Sequence, residues 1–206
     1  DSSGEPGVGK SQLARAVSKA LKRAFVSIVV AAQNESRDLL WHFDAVQRLA
    51  DAQLGQALGA DPVEIKAKLQ IKNYVHPGPL WWAFDWTSAE KRADSLGQSI
   101  PPQFEGCSYD NGCVLLIDEI DKAEMDLPNG LLEALGEGRF TPMGQIEPVC
   151  ASAIYPLVMI TTNEERALPD AFLRRCLVLH LNLFAGEQAP LDLLLQLIEQ
   201  QELDIS

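Results

Sequence analysis

Hydrophobic positions along the chain follow two patterns, helical spacing and short continuous runs. Helical spacing covers residues 10–23 and 35–58, each with apolar residues on one side. Continuous apolar runs of strand length lie at 24–32 and 113–117, and two acidic residues follow the second run. Because helices alternate with buried strands, we predict an α/β fold around a mostly parallel sheet, with ligands at the carboxyl ends of its strands.

The rest of the chain is divided by the same patterns and by clusters of turn residues. We predict helical segments that begin near Asp61-Pro62 and that cover 127–135, 169–175 and 191–202. We predict further strands at 155–162 and 177–183, a turn at 76–79, a loop at 99–112, and a hairpin or loop at 139–154. An aromatic cluster, Leu80–Trp86, is expected to pack in the core or between subunits rather than to grip a substrate.

Composition and charge narrow the class of protein. The 206 residues, 47% of them hydrophobic, are enough for one full domain. A net charge of −12 disfavours nucleic acid as a partner, since a broad nucleic-acid surface needs clustered Lys and Arg. No apolar run approaches the roughly 18 residues of a membrane helix, and no secretory signal pattern opens the chain. We therefore expect a cytoplasmic protein without a membrane span.

Cysteine and histidine spacing does not indicate a metal site. The cysteines fit no zinc pattern, and we expect structural thiols at Cys107, Cys113, Cys150 and Cys176. The histidines have no mutual spacing typical of metal ligands, and we expect structural roles for His42, His76 and His180.

The strongest motif is a phosphate loop of the form G-x-x-x-x-G-K-[ST]. Its glycines let backbone N–H groups surround phosphate oxygens, and the following helix presents its positive end to an anion. Lys10 would reach the β- and γ-phosphates of a nucleoside triphosphate, and the Ser11 hydroxyl would bind Mg²⁺. We assign nucleotide binding to Gly4, Glu5, Pro6, Gly7, Val8, Gly9, Lys10, Ser11 and Gln12.

Two acidic residues end the apolar strand at 113–117. Asp118 would hold Mg²⁺, and Glu119 would orient or deprotonate the attacking water. An acidic pair after a strand is also a common solvated strand end. Together with a phosphate loop, however, the pair indicates catalysis of phosphoryl transfer.

Two further segments leave alternatives open. Asn163, which follows Ile160-Thr161-Thr162, could bond the γ-phosphate or the water, or could simply be a turn residue. Arg174 and Arg175 could be a surface ending that suits the helix dipole, or could supply an arginine finger to a neighbouring subunit.

The order of these motifs resembles that of the AAA+ ATPases, and is most similar to their MoxR-like and dynein-related branch. The resemblance runs from residue 4 to about 183, through Leu115–Lys122 (LLIDEIDK), Thr161–Asn163 and Ala171–Arg175. It implies a P-loop NTPase three-layer sandwich with a five-stranded core, nucleotide at a subunit boundary, and usually a hexameric ring.

The resemblance also implies roles for particular positions. Asn163 matches the residue called sensor 1, and Arg175, or less closely Arg174, matches the arginine finger. Residues 139–154 resemble the hairpin that precedes sensor 1 in this branch. No sensor 2 arginine can be assigned.

The predicted organisation is an AAA+ core at 1–184, with a subfamily-specific insert at 34–112, and the start of a helical lid at 185–206. We expect the first core strand to be missing before the phosphate loop, and the lid to be truncated.

Two functional hypotheses from different classes follow. In the first, the protein is a Mg²⁺-dependent ATPase that remodels other proteins, as MoxR-like members do as chaperone-like partners of von Willebrand A domain proteins. In the second, ATP sets the state of an assembly or scaffold, with slow or incidental turnover. An intact Glu119 favours turnover, because a protein that only binds ATP does not need it.

Overall fold

The structure is a computed structural model, which describes residues 10–59, 61–123, 126–163 and 166–179. The phosphate-loop residues 4–9, His180 and the predicted helix at 191–202 lie outside the described residues, as does the proposed lid.

The described residues form mostly short helices and strands. The helices are α1 (Lys10–Leu21), α2 (Ser36–Leu40), α3 (Ala45–Ala57), α4 (Pro62–Lys68), α5 (Pro79–Phe84), α6 (Trp86–Leu96), α7 (Asp126–Glu137) and α8 (Asp170–Leu173). The strands are β1 (Arg23–Val29), β2 (Trp41–Phe43), β3 (Val75–Pro77), β4 (Ser108–Asp118), β5 (Arg139–Phe140), β6 (Val149–Cys150) and β7 (Leu157–Ile160). Two short 3-10 turns cover Ile71–Tyr74 and Ile120–Lys122.

A parallel sheet of three strands forms the centre of the described fold, in the order β1-β4-β7. Ile117 of β4 pairs with Ile28 of β1 on one side and with Ile160 of β7 on the other. The predicted parallel sheet is therefore confirmed. Because all three strands run the same way, their carboxyl ends meet at one edge.

The central strand β4 is buried on both faces, as its continuous apolar run predicts. Val114 and Leu116 pack with Ala14 and Val17 of α1 on one face. Leu115 and Ile117 belong to the larger core on the other face, with residues of α2, α5 and α7. Helices thus cover both faces of the sheet, which confirms the three-layer sandwich.

The aromatic cluster Leu80–Trp86 belongs to this larger core. Trp81, Trp82 and Phe84 are at most 3% exposed, and the Trp81 indole N–H donates to Ser88 Oγ at 2.8 Å. The expectation of core packing is confirmed, and the cluster offers no exposed surface to a substrate.

The prediction of one helix over 35–58 is wrong. The chain forms α2, then β2, and then α3, because Trp41 and Phe43 alternate at strand spacing and pair with β3. Asp44 then starts α3 by accepting the N–H of Gln47 at 2.7 Å. The segment predicted as a turn at 76–79 contributes to β3 and to the start of α5.

Other boundaries shift by smaller amounts. β4 begins at Ser108, inside the predicted loop, because an irregularity in the ladder lets Arg23 pair with Ser108 and Ala24 with Cys113. Residues 139–154 form the predicted hairpin, β5 and β6. Residues 177–179, predicted to begin a strand, have no regular secondary structure.

Candidate functional site

Three elements bring polar side chains to the carboxyl edge of the sheet. The first turn of α1 contributes Lys10 and Ser11, the end of β4 contributes Asp118 and Glu119, and the segment after β7 leads to Asn163. The parallel register explains this convergence, because β1, β4 and β7 end at the same level.

Ser11 and Asp118 are in direct contact. The Ser11 hydroxyl donates to Asp118 Oδ2 at 2.6 Å. A hydroxyl and a carboxylate are hard oxygen donors of the kind that Mg²⁺ prefers, so these two residues fit the ion proposed for them.

The second oxygen of Asp118 is held by Thr161, the first residue after β7. The Thr161 hydroxyl donates to Asp118 Oδ1 and accepts the backbone N–H of Glu119 at 3.0 Å. Sequence reasoning gave Thr161 no role of its own. Its position after an apolar strand, two residues before Asn163, was the available indication.

Glu119 has a left-handed backbone conformation, with φ 60° and ψ 45°. One carboxylate oxygen accepts from Lys122 Nζ at 2.6 Å, and the other accepts from Asn163 Nδ2 at 3.3 Å. The side chain is 27% exposed, so its carboxylate remains accessible to water while two partners restrain it.

Lys10 reaches across the site to the segment after β7. Its Nζ donates to the Thr162 carbonyl and to Asn163 Oδ1, both at 2.6 Å. Asn163 therefore links Lys10 to Glu119, with its amide oxygen toward the cation and its amide nitrogen toward the carboxylate.

Asp121 holds the segment that follows β7. This carboxylate is 3% exposed, and it accepts the backbone N–H of Asn163 at 3.2 Å. Sequence reasoning included Asp121 in a family motif but gave it no function. A buried acid in the turn after β4 fixes where Asn163 lies.

Arg174 and Arg175 lie at the exposed end of α8. The Arg175 guanidinium donates to the Ala171 carbonyl within its own helical turn, at 3.2 Å. In the described part of the chain, neither arginine forms an ion pair with Asp118 or Glu119. Gln12 is exposed on α1. Among the hydrogen bonds and ion pairs between described residues, none joins Gln12, Arg174 or Arg175 to Asp118 or Glu119.

The contacts of His76, Cys107 and Cys150 are with residues outside this site. Burial raises the pKa of the Cys113 thiol to about 12, so it stays protonated near neutral pH. His42 and His76 lie opposite each other on β2 and β3, with ring centroids 6.4 Å apart. The described residues contain no group of three or more His, Cys, Asp or Glu side chains arranged to hold a metal.

The fold and the convergence of these residues define the core of a P-loop nucleoside triphosphatase. The chain matches the AAA domain family (dynein-related subfamily) over residues 3–176, and it belongs to this family of AAA+ ATPases.

One solved structure similar to this chain is that of a "putative ATPase" from Cytophaga hutchinsonii. The two share 15% sequence identity, with a TM-score of 0.46. The match covers 87% of this chain but only 41% of that one, so the chain spans less than half of that protein. No curated protein matches the sequence. Within the described residues, no helix is both long enough and apolar enough to cross a membrane.

Proposed function

We propose that this chain binds ATP with Mg²⁺ and hydrolyses it to ADP and phosphate. The observation that carries the proposal is the convergence of Lys10, Ser11, Asp118, Glu119 and Asn163 at one edge of the parallel sheet. In a parallel α/β sheet this edge is where a ligand binds.

Each residue has a role that its chemistry permits. On ATP binding, Lys10 gives up its contacts with Thr162 and Asn163 and binds the β- and γ-phosphates. Backbone N–H groups of residues 4–9 bind phosphate oxygens beside it. Ser11 and Asp118 hold Mg²⁺, which when bound neutralises charge on the phosphate oxygens. Glu119 orients the attacking water and accepts its proton, and Asn163 donates an amide N–H toward the water or the γ-phosphate.

The arginine comes from a neighbouring subunit in this proposal. Arg175 is exposed, and its guanidinium donates to the Ala171 carbonyl of its own helical turn. This placement suits a cation that serves another copy of the chain. AAA+ proteins commonly assemble into rings, and we propose a ring, most simply a hexamer. Its turnover would drive chaperone-like remodelling of a partner protein, of which a von Willebrand A domain protein is one candidate.

The contacts of Lys10 favour a second candidate, a nucleotide-dependent switch. Lys10 is bonded to the Thr162 carbonyl and to Asn163, and phosphate binding would replace these bonds. ATP binding alone would then alter the segment after β7, with no need for turnover.

Glu119→Gln tests hydrolysis and separates the two candidates. The amide cannot accept the proton of water, so we expect phosphate release to fall at least about 100-fold while ATP binding persists. Glu105→Gln, at an exposed loop position, is the matched control and should leave both unchanged.

Wild-type turnover in the Glu119→Gln variant would refute the role of Glu119 as the base. If ATP-dependent assembly with a partner persists in a variant that no longer turns over, the switch is supported. If partner remodelling is lost together with turnover, the motor is supported.

A further inference from the structure

We propose that Thr161 is a positioning residue for both acidic residues of the site, through its hydroxyl group. The inference rests on the proposed function, because it concerns how the magnesium ligand and the base are held. It assigns a role to a side chain that touches neither ATP nor water in that proposal.

The hydroxyl of Thr161 is used in both directions, and the chemistry of its partners fixes which way each bond runs. Ionised Asp118 can only accept, so Thr161 donates its proton to Asp118 Oδ1. The backbone N–H of Glu119 can only donate, so the same oxygen accepts it at 3.0 Å. One hydroxyl thus joins the magnesium ligand to the backbone of the base.

Asp118 is restrained from both sides as a result. Ser11 holds Oδ2 at 2.6 Å, and Thr161 holds Oδ1. When Ser11 and Oδ2 turn to Mg²⁺, the bond from Thr161 still fixes the plane of the carboxylate. Hydrogen bonds of this kind to metal-binding carboxylates typically contribute about 10–100-fold in metal affinity or activity.

Glu119 needs support because of its backbone. A residue with a side chain is rarely stable at φ 60°, where its Cβ crowds the following carbonyl. Three hydrogen bonds of Thr161 hold the turn. The Thr161 hydroxyl accepts the N–H of Glu119 at 3.0 Å, and the Thr161 carbonyl accepts the N–H of Ile120 at 3.0 Å. The N–H of Thr161 donates to the Ile117 carbonyl at 2.9 Å. The hydroxyl is the only one of these groups that a side-chain substitution can remove.

This left-handed turn directs the Glu119 carboxylate to Asn163, 3.3 Å away. Without the bond from Glu119 N–H to Thr161, the backbone can relax toward the extended region and carry the carboxylate out of reach of the water. Thr161 also suits the task better than a more flexible residue, since its branched Cβ limits χ1 to few rotamers.

The test compares Thr161→Val, which keeps the shape and removes the hydroxyl, with Thr161→Ser, which keeps the hydroxyl. The full 206-residue chain is titrated with a fluorescent ATP analogue, with Mg²⁺ and with EDTA, and phosphate release is measured in parallel. Thr87→Val, at an exposed position of α6, is the matched control.

For Thr161→Val we expect kcat to fall about 10–100-fold and the Mg²⁺ concentration for half-maximal binding to rise about tenfold. Affinity for the analogue in EDTA should not change, because the hydroxyl does not contact the phosphates. For Thr161→Ser, kcat and the half-maximal Mg²⁺ concentration should stay within about threefold of the wild-type values. For Thr87→Val, both should equal the wild-type values. A residue with a merely structural role would not separate Mg²⁺-dependent from Mg²⁺-independent binding.

The outcomes distinguish this inference from the proposed function. An active wild type with an equally active Thr161→Val variant overturns the role of Thr161 and leaves hydrolysis standing. A wild type that neither binds nor hydrolyses ATP overturns both. If circular dichroism shows that Thr161→Val is unfolded, Thr161→Ala takes its place, and a Thr161→Ser variant as impaired as Thr161→Ala overturns the role of the hydroxyl.

Discussion

Asp118 accepts hydrogen bonds from Ser11, 107 positions before it in sequence, and from Thr161, 43 positions after it. Each of the three is an ordinary polar residue at the end of a helix or a strand. They act together only because α1 packs on one face of β4 and β7 pairs with β4 in the sheet. At the scale of the residue, the properties of the site are therefore set by partners that are distant along the chain.

Tyr74 shows the same dependence at a structural position. Its hydroxyl donates to Asp51 Oδ2 at 2.9 Å, which joins the 3-10 turn at Ile71–Tyr74 to α3. Burial, followed by the hydrogen bond and charge of Asp51, raises the pKa of Tyr74 from 10.0 to about 12. The bond from Tyr74 in turn lowers the pKa of Asp51.

A pH titration tests this assignment. Because the pKa of Tyr74 is higher in the folded state, its protonated form stabilises the fold below pH 10, and this contribution is lost as the pH rises from 10 to about 12. We expect near-ultraviolet phenolate absorbance of the folded protein to show a step near pH 12 that Tyr74→Phe removes.

Two other tyrosines serve as internal references in that titration. Burial also raises the pKa values of Tyr109 and Tyr155, so their steps should remain in the Tyr74→Phe variant. In denaturant all three should ionise near pH 10. A folded wild type whose tyrosines all ionise near pH 10 would contradict the assignment.

At the scale of the element, Gly78 decides how β3 and α5 meet α2. Its N–H donates to the Leu40 carbonyl at 3.0 Å. A Cβ at this position would lie 2.7–2.8 Å from backbone atoms of Asp38, Leu39 and Leu40. Only a residue without a side chain permits this approach of two backbones.

Gly78→Ala should therefore destabilise the fold by about 1–3 kcal/mol, because the contacted atoms belong to backbone and cannot rotate away. Denaturant unfolding followed by circular dichroism measures the change. The matched control is Gly136→Ala in α7, where a Cβ meets nothing within 4 Å and should instead add about 0.5–1 kcal/mol. Equal effects at the two sites would refute the close approach.

The pairing of β2 with β3 explains the failed prediction of one helix over 35–58. Apolar residues at helical spacing also occur where a helix, a short strand and a second helix follow one another. The pairing of Trp41 with Pro77 decides for the strand, and that partner lies 36 positions further along the chain. A local pattern cannot include a partner at that distance.

At the scale of the whole molecule, the two lysines described at this site already have partners: Lys122 donates to Glu119, and Lys10 donates to Thr162 and Asn163. Lys10 would be committed to the phosphates, and the exposed Arg175 lies at the end of α8. In the proposed ring this arginine completes the site of a neighbouring subunit, where such a residue contributes on the order of 10³-fold or more to kcat.

Mixing two inactive variants tests the shared site. Arg175→Ala lacks the proposed finger but keeps the base, and Glu119→Gln has the reverse defect. We expect each alone to release little phosphate and an equimolar mixture to recover activity well above either, because some interfaces then combine an intact base with an intact arginine.

Arg174→Ala, mixed in the same way, identifies which of the adjacent arginines acts. If Arg174→Ala alone is fully active, the finger is assigned to Arg175. A mixture of Arg175→Ala and Glu119→Gln that is no more active than its components would contradict a finger supplied between chains.

The sequence predicted the class of fold and the identity of most candidate residues. A continuous apolar run at 113–117 followed by two acids predicts a buried strand that delivers carboxylates, and this strand is central in the sheet. The parallel direction of the strands, the hairpin after residue 138 and the core position of Trp81 could also be predicted from the sequence. For β4, local composition is enough for the prediction, because burial on both faces of a strand requires apolar residues at every position.

The sequence by itself determined which chemical groups this protein has and that they follow strands and a phosphate loop, since backbone propensity and the pattern of apolar residues are local properties of the chain. The tertiary structure alone decided which groups touch. It placed Thr161 between Asp118 and Glu119 and linked Lys10 to Asn163. The physical reason is that hydrogen bonds between side chains depend on distances of a few ångströms, and only packing of the whole domain sets those distances.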